Sequence, residues 1–297
     1  MDTKRISTKR VIIINTVIIL FSAIFAIIVH ALLPTSVDVA QFDSIFVKYF
    51  GFPAVAIFYF ILLFMQCAMT VRYIGVRADV PKLQIGIRVG IAFAMIYILG
   101  MQEIVVEVSP FSNWGLGFVK YQLIMGIGDG LPAILLCVAI AYFTLSESEK
   151  IKPISKLQMT KCIKTIAIIA IAIFVERTIG YESGLINSDC ATYPVPCYVW
   201  TGLFGILMGY IYVFLYPLFV FEKKQSSISI PLRFIATIGV NWMIFNSFIG
   251  LIVKGAMPQL LLRSGLDVVV LFLASVVVGN YIIEINDAKQ RPPDTNL

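Results

Sequence analysis

The chain has 297 residues, 59% of them hydrophobic and only 13% charged, with a mean hydropathy of +0.92. Soluble domains run at roughly 45–50% apolar and about 25% charged, so this composition excludes the soluble classes and places the chain among membrane proteins. The formal charge of +6 does not point to a nucleic-acid partner, because the excess basic residues gather in short loops, where they report orientation.

Hydropathy predicts an all-α, polytopic integral membrane bundle forming a single transmembrane domain. Eight transmembrane helices are expected near residues 11–33, 52–71, 86–107, 121–143, 163–181, 198–221, 233–253 and 264–283. Each is close to the roughly 20 residues that a hydrocarbon core about 30 Å thick requires. The first follows Lys4, Arg5, Lys9 and Arg10, as a signal peptide would. Its apolar run is longer than a signal core of about 7–15 residues, so it reads as an uncleaved span. Between the first two spans, the stretch QFDSIFVKYF puts Phe42, Ile45, Phe46, Tyr49 and Phe50 at helical spacing. A short helix lying in the outer interface is expected there. Phe111, Trp114, Phe118 and Tyr121 form an aromatic belt at the same level.

Counting Lys and Arg in the connections gives eighteen on one side and four on the other, with Arg177 inside a span. In short loops that asymmetry sets both termini in the cytoplasm (N-in/C-in), as an even number of spans requires. The expected location is the plasma membrane. The basic connection 144–164 then faces the cytosol and offers a docking surface for a cytosolic partner. Cys190 and Cys197 fall together in a short connection on the opposite, oxidising side, a disulfide candidate that would stiffen an outer cap. Cys67 and Cys137 lie inside spans, where a small apolar residue suffices.

The fourth span carries the most unusual stretch. Asp129 stands among Gly126, Gly128 and Gly130, with Pro132 three residues on. At 1.5 Å per residue it lies about 12 Å below Tyr121, and an acid at such depth costs several kcal/mol unless it meets a partner or water. Glu103 and Glu107 lie at the outer end of the third span, and Glu176, Arg177 and Glu182 in the outer part of the fifth. Asn241, Trp242 and Asn246 come near mid-depth in the seventh, and Arg263 and Asp267 at the outer end of the eighth. His30, the sole histidine, ends the first. Two readings compete. In one, a single buried ion pair, Arg177 with Asp129 or Glu176, holds helices together while Asn241 and Asn246 act as interhelical glue. In the other, acids outnumbering bases and opening to one side line an outward-facing polar cavity. Buried ion pairs stabilise poorly compared with apolar packing, which favours the cavity. The pairs Gly126/Gly130 and Gly205/Gly209 allow close helix approach on either reading.

The run Gly126-Ile127-Gly128-Asp129 resembles the G-x-G-D pattern of the intramembrane aspartyl proteases, the presenilin and prepilin-peptidase group. That resemblance implies proteolysis by two aspartates sharing a proton. Here only Asp267 is available as the second, and the P-A-L motif of the presenilin group is absent from the C-terminal region. One histidine excludes a two-histidine metal site, and no phosphate-cradling G-x-x-x-x-G-K-[ST] occurs, so neither metal nor other cofactor is expected.

The leading expectation is a transporter or permease-like protein whose polar cavity centres on Asp129 and Glu176/Arg177. Glu103, Glu107, Asn241, Asn246 and Asp267 are its further candidate ligands for a small solute or ion. The alternatives are a membrane-embedded enzyme acting on a lipid-linked or peptide substrate at the outer leaflet, and a non-catalytic subunit of an ATPase-driven exporter or an immunity or sensor protein.

Overall fold

Peptide groups in hydrocarbon must be satisfied within their own segment, so long apolar runs are driven to helix. The computed structural model describes residues 7–32, 42–105, 116–147, 157–221 and 228–284, and every regular element among them is helical. The helices are α1 (Thr8–Leu32), α2 (Ile45–Phe50), α3 (Phe52–Gly75), α4 (Lys82–Gly100), α5 (Leu116–Thr144), α6 (Met159–Glu182) and α7 (Pro194–Phe219). After these come α8 (Ser229–Phe234), α9 (Val240–Asn246), α10 (Phe248–Ile252) and α11 (Met257–Val278). A 3₁₀ turn, Met101–Val105, extends α4, and π turns occupy Ile235–Gly239 and Gly279–Glu284.

Seven stretches among the described residues are long and apolar enough to cross a membrane. They are α1, α3, α4 with its 3₁₀ extension, α5, α7, the interrupted rod Ser229–Ile252, and α11. The remaining long helix, α6, matches them at 24 residues but carries Lys161, Lys164, Glu176, Arg177 and Glu182. It packs antiparallel on α7, with Gly205 against Ala170 and Gly209 against Ile166.

Small residues set the tightest seams. A Cβ on Gly126 would come within 2.7 Å of the Ile98 Cα, one on Gly90 within 2.9 Å of the Ile134 Cα, and one on Gly86 within 2.7 Å of the Cys137 carbonyl. The α4–α5 backbones are therefore in direct contact. Gly205 and Gly209 do the same for α7 on α6, each with a Cβ position 2.8 Å from the opposing backbone. Both glycine pairs singled out in the sequence thus serve close approach, and Gly86/Gly90 add a third of the same spacing.

The two ends of the bundle differ. At one, four cations reach carbonyls of neighbouring helices: Arg72 donates to Thr144, Lys82 to Tyr142, Arg88 to Phe214 and Arg233 to Phe219, at 2.6–3.1 Å. Those of Thr144, Tyr142 and Phe219 close α5 and α7, where the helix dipole is negative, so the contacts are electrostatically apt. Lys82 and Arg88 also lie over the rings of Tyr142 and Phe214. We call this the basic end.

The opposite end holds Cys190 and Cys197 at disulfide distance, with Cα atoms 5.3 Å apart. Here α2 forms where amphipathic spacing predicts a short helix. Ser44 caps it by accepting from Val47 N–H at 3.1 Å, while its own N–H donates to Ile252. Asp43 accepts from Lys254 N–H at 2.9 Å, tying α2 to the connection before α11. Ile45, Phe46, Tyr49 and Phe50 are exposed. Glu107, Phe111, Trp114 and residues 148–156 of the 144–164 connection lie outside the described residues.

Candidate functional site

Three polar clusters interrupt the apolar core. The largest surrounds Arg177, on α6 toward the disulfide end, whose side chain is fully buried. Its Nε and Nη2 donate to the two oxygens of Asp267 at 2.7 and 2.6 Å, a bidentate pair between α6 and α11. Its Nη1 donates to Glu103 Oε1 at 2.6 Å and to Tyr181 Oη at 3.0 Å. The guanidinium plane lies over Trp200 at 5.0 Å and Phe204 at 4.8 Å. Planarity makes this possible: one cation satisfies two carboxylates at its edge and lies beside the stacked rings of Trp200 and Phe204. Asp267 also accepts from Trp242 Nε1 at 2.9 Å, and Arg263 Nε lies 3.2 Å from Glu103 Oε1. Arg263 Nη2 reaches Asn246 Oδ1 at 3.5 Å.

Glu176 sits one residue before Arg177 and faces the same group of charges without joining it. Neither of its carboxyl oxygens accepts a hydrogen bond among the described residues, although both atoms are buried. Asp267 is its first carboxylate neighbour, a carboxyl–carboxyl contact that becomes a hydrogen bond only when one of the two holds a proton.

The second cluster is made of neutral groups and joins α3, α4 and the interrupted rod. Tyr97 Oη donates to Asn241 Oδ1 at 3.0 Å, and Asn241 Nδ2 donates to Gln66 Oε1 at 3.0 Å. Gln66 Nε2 then donates to the Thr237 carbonyl at 2.7 Å and approaches that of Ala236 at 3.4 Å. Those carbonyls belong to the π turn Ile235–Gly239, where that of Thr237 also accepts from the Val240 N–H, so Gln66 adds a second donor to it. The Cys67 sulfur completes the group, 3.2 Å from Tyr97 Oη.

The third cluster lies between α1 and α5. Asp129 is fully buried, and its Oδ1 is 2.6 Å from His30 Nε2. The other ring nitrogen, Nδ1, is 3.1 Å from the Met125 sulfur. Glycine makes the approach possible: a Cβ on Gly128 would stand 3.0 Å from Val29 Cγ1 and 3.9 Å from His30 Nε2. Phe60 covers the imidazole at a ring separation of 5.6 Å, and Tyr59 is near enough for the Asp129 charge to act on it. Asp129 Oδ2 has no hydrogen-bond partner among the described residues.

The structure therefore gathers Glu103, Glu176, Arg177, Asn246 and Asp267 into one neighbourhood. Asn241 belongs to the neutral cluster and Asp129 to the His30 pair. Arg177 pairs with Asp267 and Glu103, where the sequence suggested Asp129 or Glu176. The two aspartates of a G-x-G-D dyad are engaged elsewhere, Asp129 with His30 and Asp267 with Arg177 and Trp242. Sequence reasoning placed His30 at a helix end and gave it no partner. It passed over Gln66, Tyr97, Tyr181 and Trp200 altogether. Gln66 carried a usable signal, an amide in the middle of an apolar run; the aromatic residues carried none, because a membrane-spanning sequence is full of them.

Among the described residues no group of three or more His, Cys, Asp or Glu is arranged to hold a metal ion. Comparison of the chain with protein-family models, curated proteins and solved structures finds no match.

Proposed function

We propose that the protein is a multi-pass carrier of a small solute or ion in the plasma membrane, with the charged cluster around Arg177 and Glu176 as its central polar site. The single observation behind this reading is the presence of buried carboxyl oxygens with no donor: both of Glu176 and one of Asp129. A purely structural ion-pair network gains from satisfying every acceptor, since each one left unmet costs about 1–3 kcal/mol and more when charged. Acceptors held open inside a spanning bundle suit a site that takes up a cation or a proton. The interrupted rod Ser229–Ile252 adds support, because broken helices at membrane depth accompany binding sites in carriers.

In this reading α6 is the eighth crossing, its charges tolerated because Arg177 is matched inside the bundle. Both termini lie in the cytoplasm, the basic end faces inward, and α2 rests in the outer interface. A ligand-stability screen in detergent tests the carrier directly. A solute that binds only the folded protein raises its stability by about 2.7 kcal/mol at 100 times Kd. The expected result is a stabilising cation or solute whose effect is lost in Glu176→Gln. Equal stabilisation of wild type and Glu176→Gln by every hit would remove the site from this cluster.

A further inference from the structure

His30 lies in the last turn of α1, and its two ring nitrogens meet two different acceptors. A thioether sulfur has no hydrogen to give, so the nitrogen beside Met125, Nδ1, carries a proton. Nε2 and Asp129 Oδ1, 2.6 Å apart, are too close for two bare lone pairs, so a second proton lies between them. It can sit on nitrogen, giving imidazolium and carboxylate, or on oxygen, giving imidazole and carboxylic acid. Both arrangements contain the same atoms and have no net charge.

We propose that His30 and Asp129 together form a proton-binding site that holds this one exchangeable proton. The proposal rests on the carrier reading only for its use, naming H⁺ as the coupling ion; the site itself stands on the geometry. Loss of the proton leaves a neutral imidazole, protonated on Nδ1, whose bare Nε2 faces a carboxylate. The pair then carries one negative charge and its bond becomes a repulsion. The exit is on the histidine side, since the His30 side chain is 17% exposed and that of Asp129 is sealed. The open Oδ2 of Asp129 gives the carboxylate nothing to fall back on when the proton leaves.

Among the described residues no cation acts on His30. Asp129 is the only charged group acting on His30 among the described residues. From α3 the titratable groups on this side are Tyr59 and Cys67, and from α4 Tyr97. On α5 they are Lys120, Tyr121 and Cys137, and Glu103 in the turn after α4 is held by Arg177.

Because His30 is the sole histidine, ¹⁵N-histidine labelling of the full chain in lipid nanodiscs gives one imidazole spectrum. Between about pH 5 and 9, where imidazole ordinarily titrates, the wild type should show a protonated Nδ1 throughout and a single step at Nε2. Asp129→Asn should displace that step by about one pH unit or more, and Asp129→Glu should largely retain it. Met125→Leu, which leaves the acid in place, should change the Nδ1 signal. A wild-type spectrum of the Nε2-protonated, Nδ1-bare tautomer at every pH would overturn the proposal, as would a step indifferent to both Asp129→Asn and Met125→Leu. The spectrum needs no solute. A protein that loads and unloads this proton but binds no solute keeps the site and loses the carrier.

Discussion

Arg177 sits at the centre of the largest charged cluster among the described residues. Two carboxylates, a phenol and two indole or phenyl faces surround it with no exposure to solvent. Removing one member of such a set leaves the others charged and unmatched in an apolar interior, which typically costs about 3–5 kcal/mol. Arg177→Met should therefore lower the unfolding temperature in detergent sharply. Adding Asp267→Asn to that variant should recover most of the loss, because Glu103 keeps Arg263 as its cation and Asp267 is the carboxylate left without one. A double variant no more stable than Arg177→Met would mean that the contacts matter through shape and not charge. Trp242→Phe is a second probe: it deletes the indole N–H bonded to Asp267, a hydrogen bond to charge worth about 1.5–3 kcal/mol, together with part of a buried ring packed on Phe204 and Phe245.

At the scale of helices, backbone proximity and helix irregularity are the controlling features. Gly205→Val would drive a side chain into Ala170, whose carbonyl is 2.8 Å from the Cβ position, and should cost about 1–3 kcal/mol or more through overpacking. Gly265, in α11, meets nothing within 4 Å of its Cβ position, so Gly265→Ala should be neutral or stabilise by roughly 0.5–1 kcal/mol. Thermal unfolding of the two variants side by side checks the pair. Gln66 braces the π turn Ile235–Gly239 from another helix. Gln66→Leu should remove the outside donor to the Thr237 carbonyl and the acceptor of the buried Asn241 amide, cost about 1–3 kcal/mol, and speed amide exchange selectively in 235–241. Uniform exchange across the chain would argue against Gln66 as the clamp.

For the molecule as a whole, the prediction concerns parity. If α6 crosses the membrane, the chain crosses eight times and both termini share a side; if it does not, they are opposed. Protease-cleavable tags at residues 1 and 297 should both be cut only when protease reaches the cytoplasmic face. Cutting of the two tags from opposite faces would remove α6 from the spans. The α6–α7 glycine seam and the burial of Arg177 favour the crossing, since they give its charges partners inside the bundle.

How much of this was readable from the chain follows from what each feature depends on. That the protein is helical and built for a membrane is a local property. Long apolar stretches must satisfy their own backbone, and the one-dimensional pattern says so without knowledge of neighbours. Capping at Ser44, the amphipathic run after it and the nearness of Cys190 to Cys197 are equally local, since the partners lie within a few residues. Position along a spanning helix also fixes depth, which is why Glu103, Arg177 and Asp267 were foreseen at one level. Depth is one coordinate of three. Which face of a helix a residue occupies in the assembly, and which helix stands beside it, depends on the packing of all the others. Arg177 finds partners 74 and 90 residues away, and His30 meets Asp129 across 99 residues. The sequence by itself determined the helices and the level of their polar groups. Only the tertiary structure decided which of them touch, because lateral order in a bundle is set by backbone contacts between segments distant in the chain.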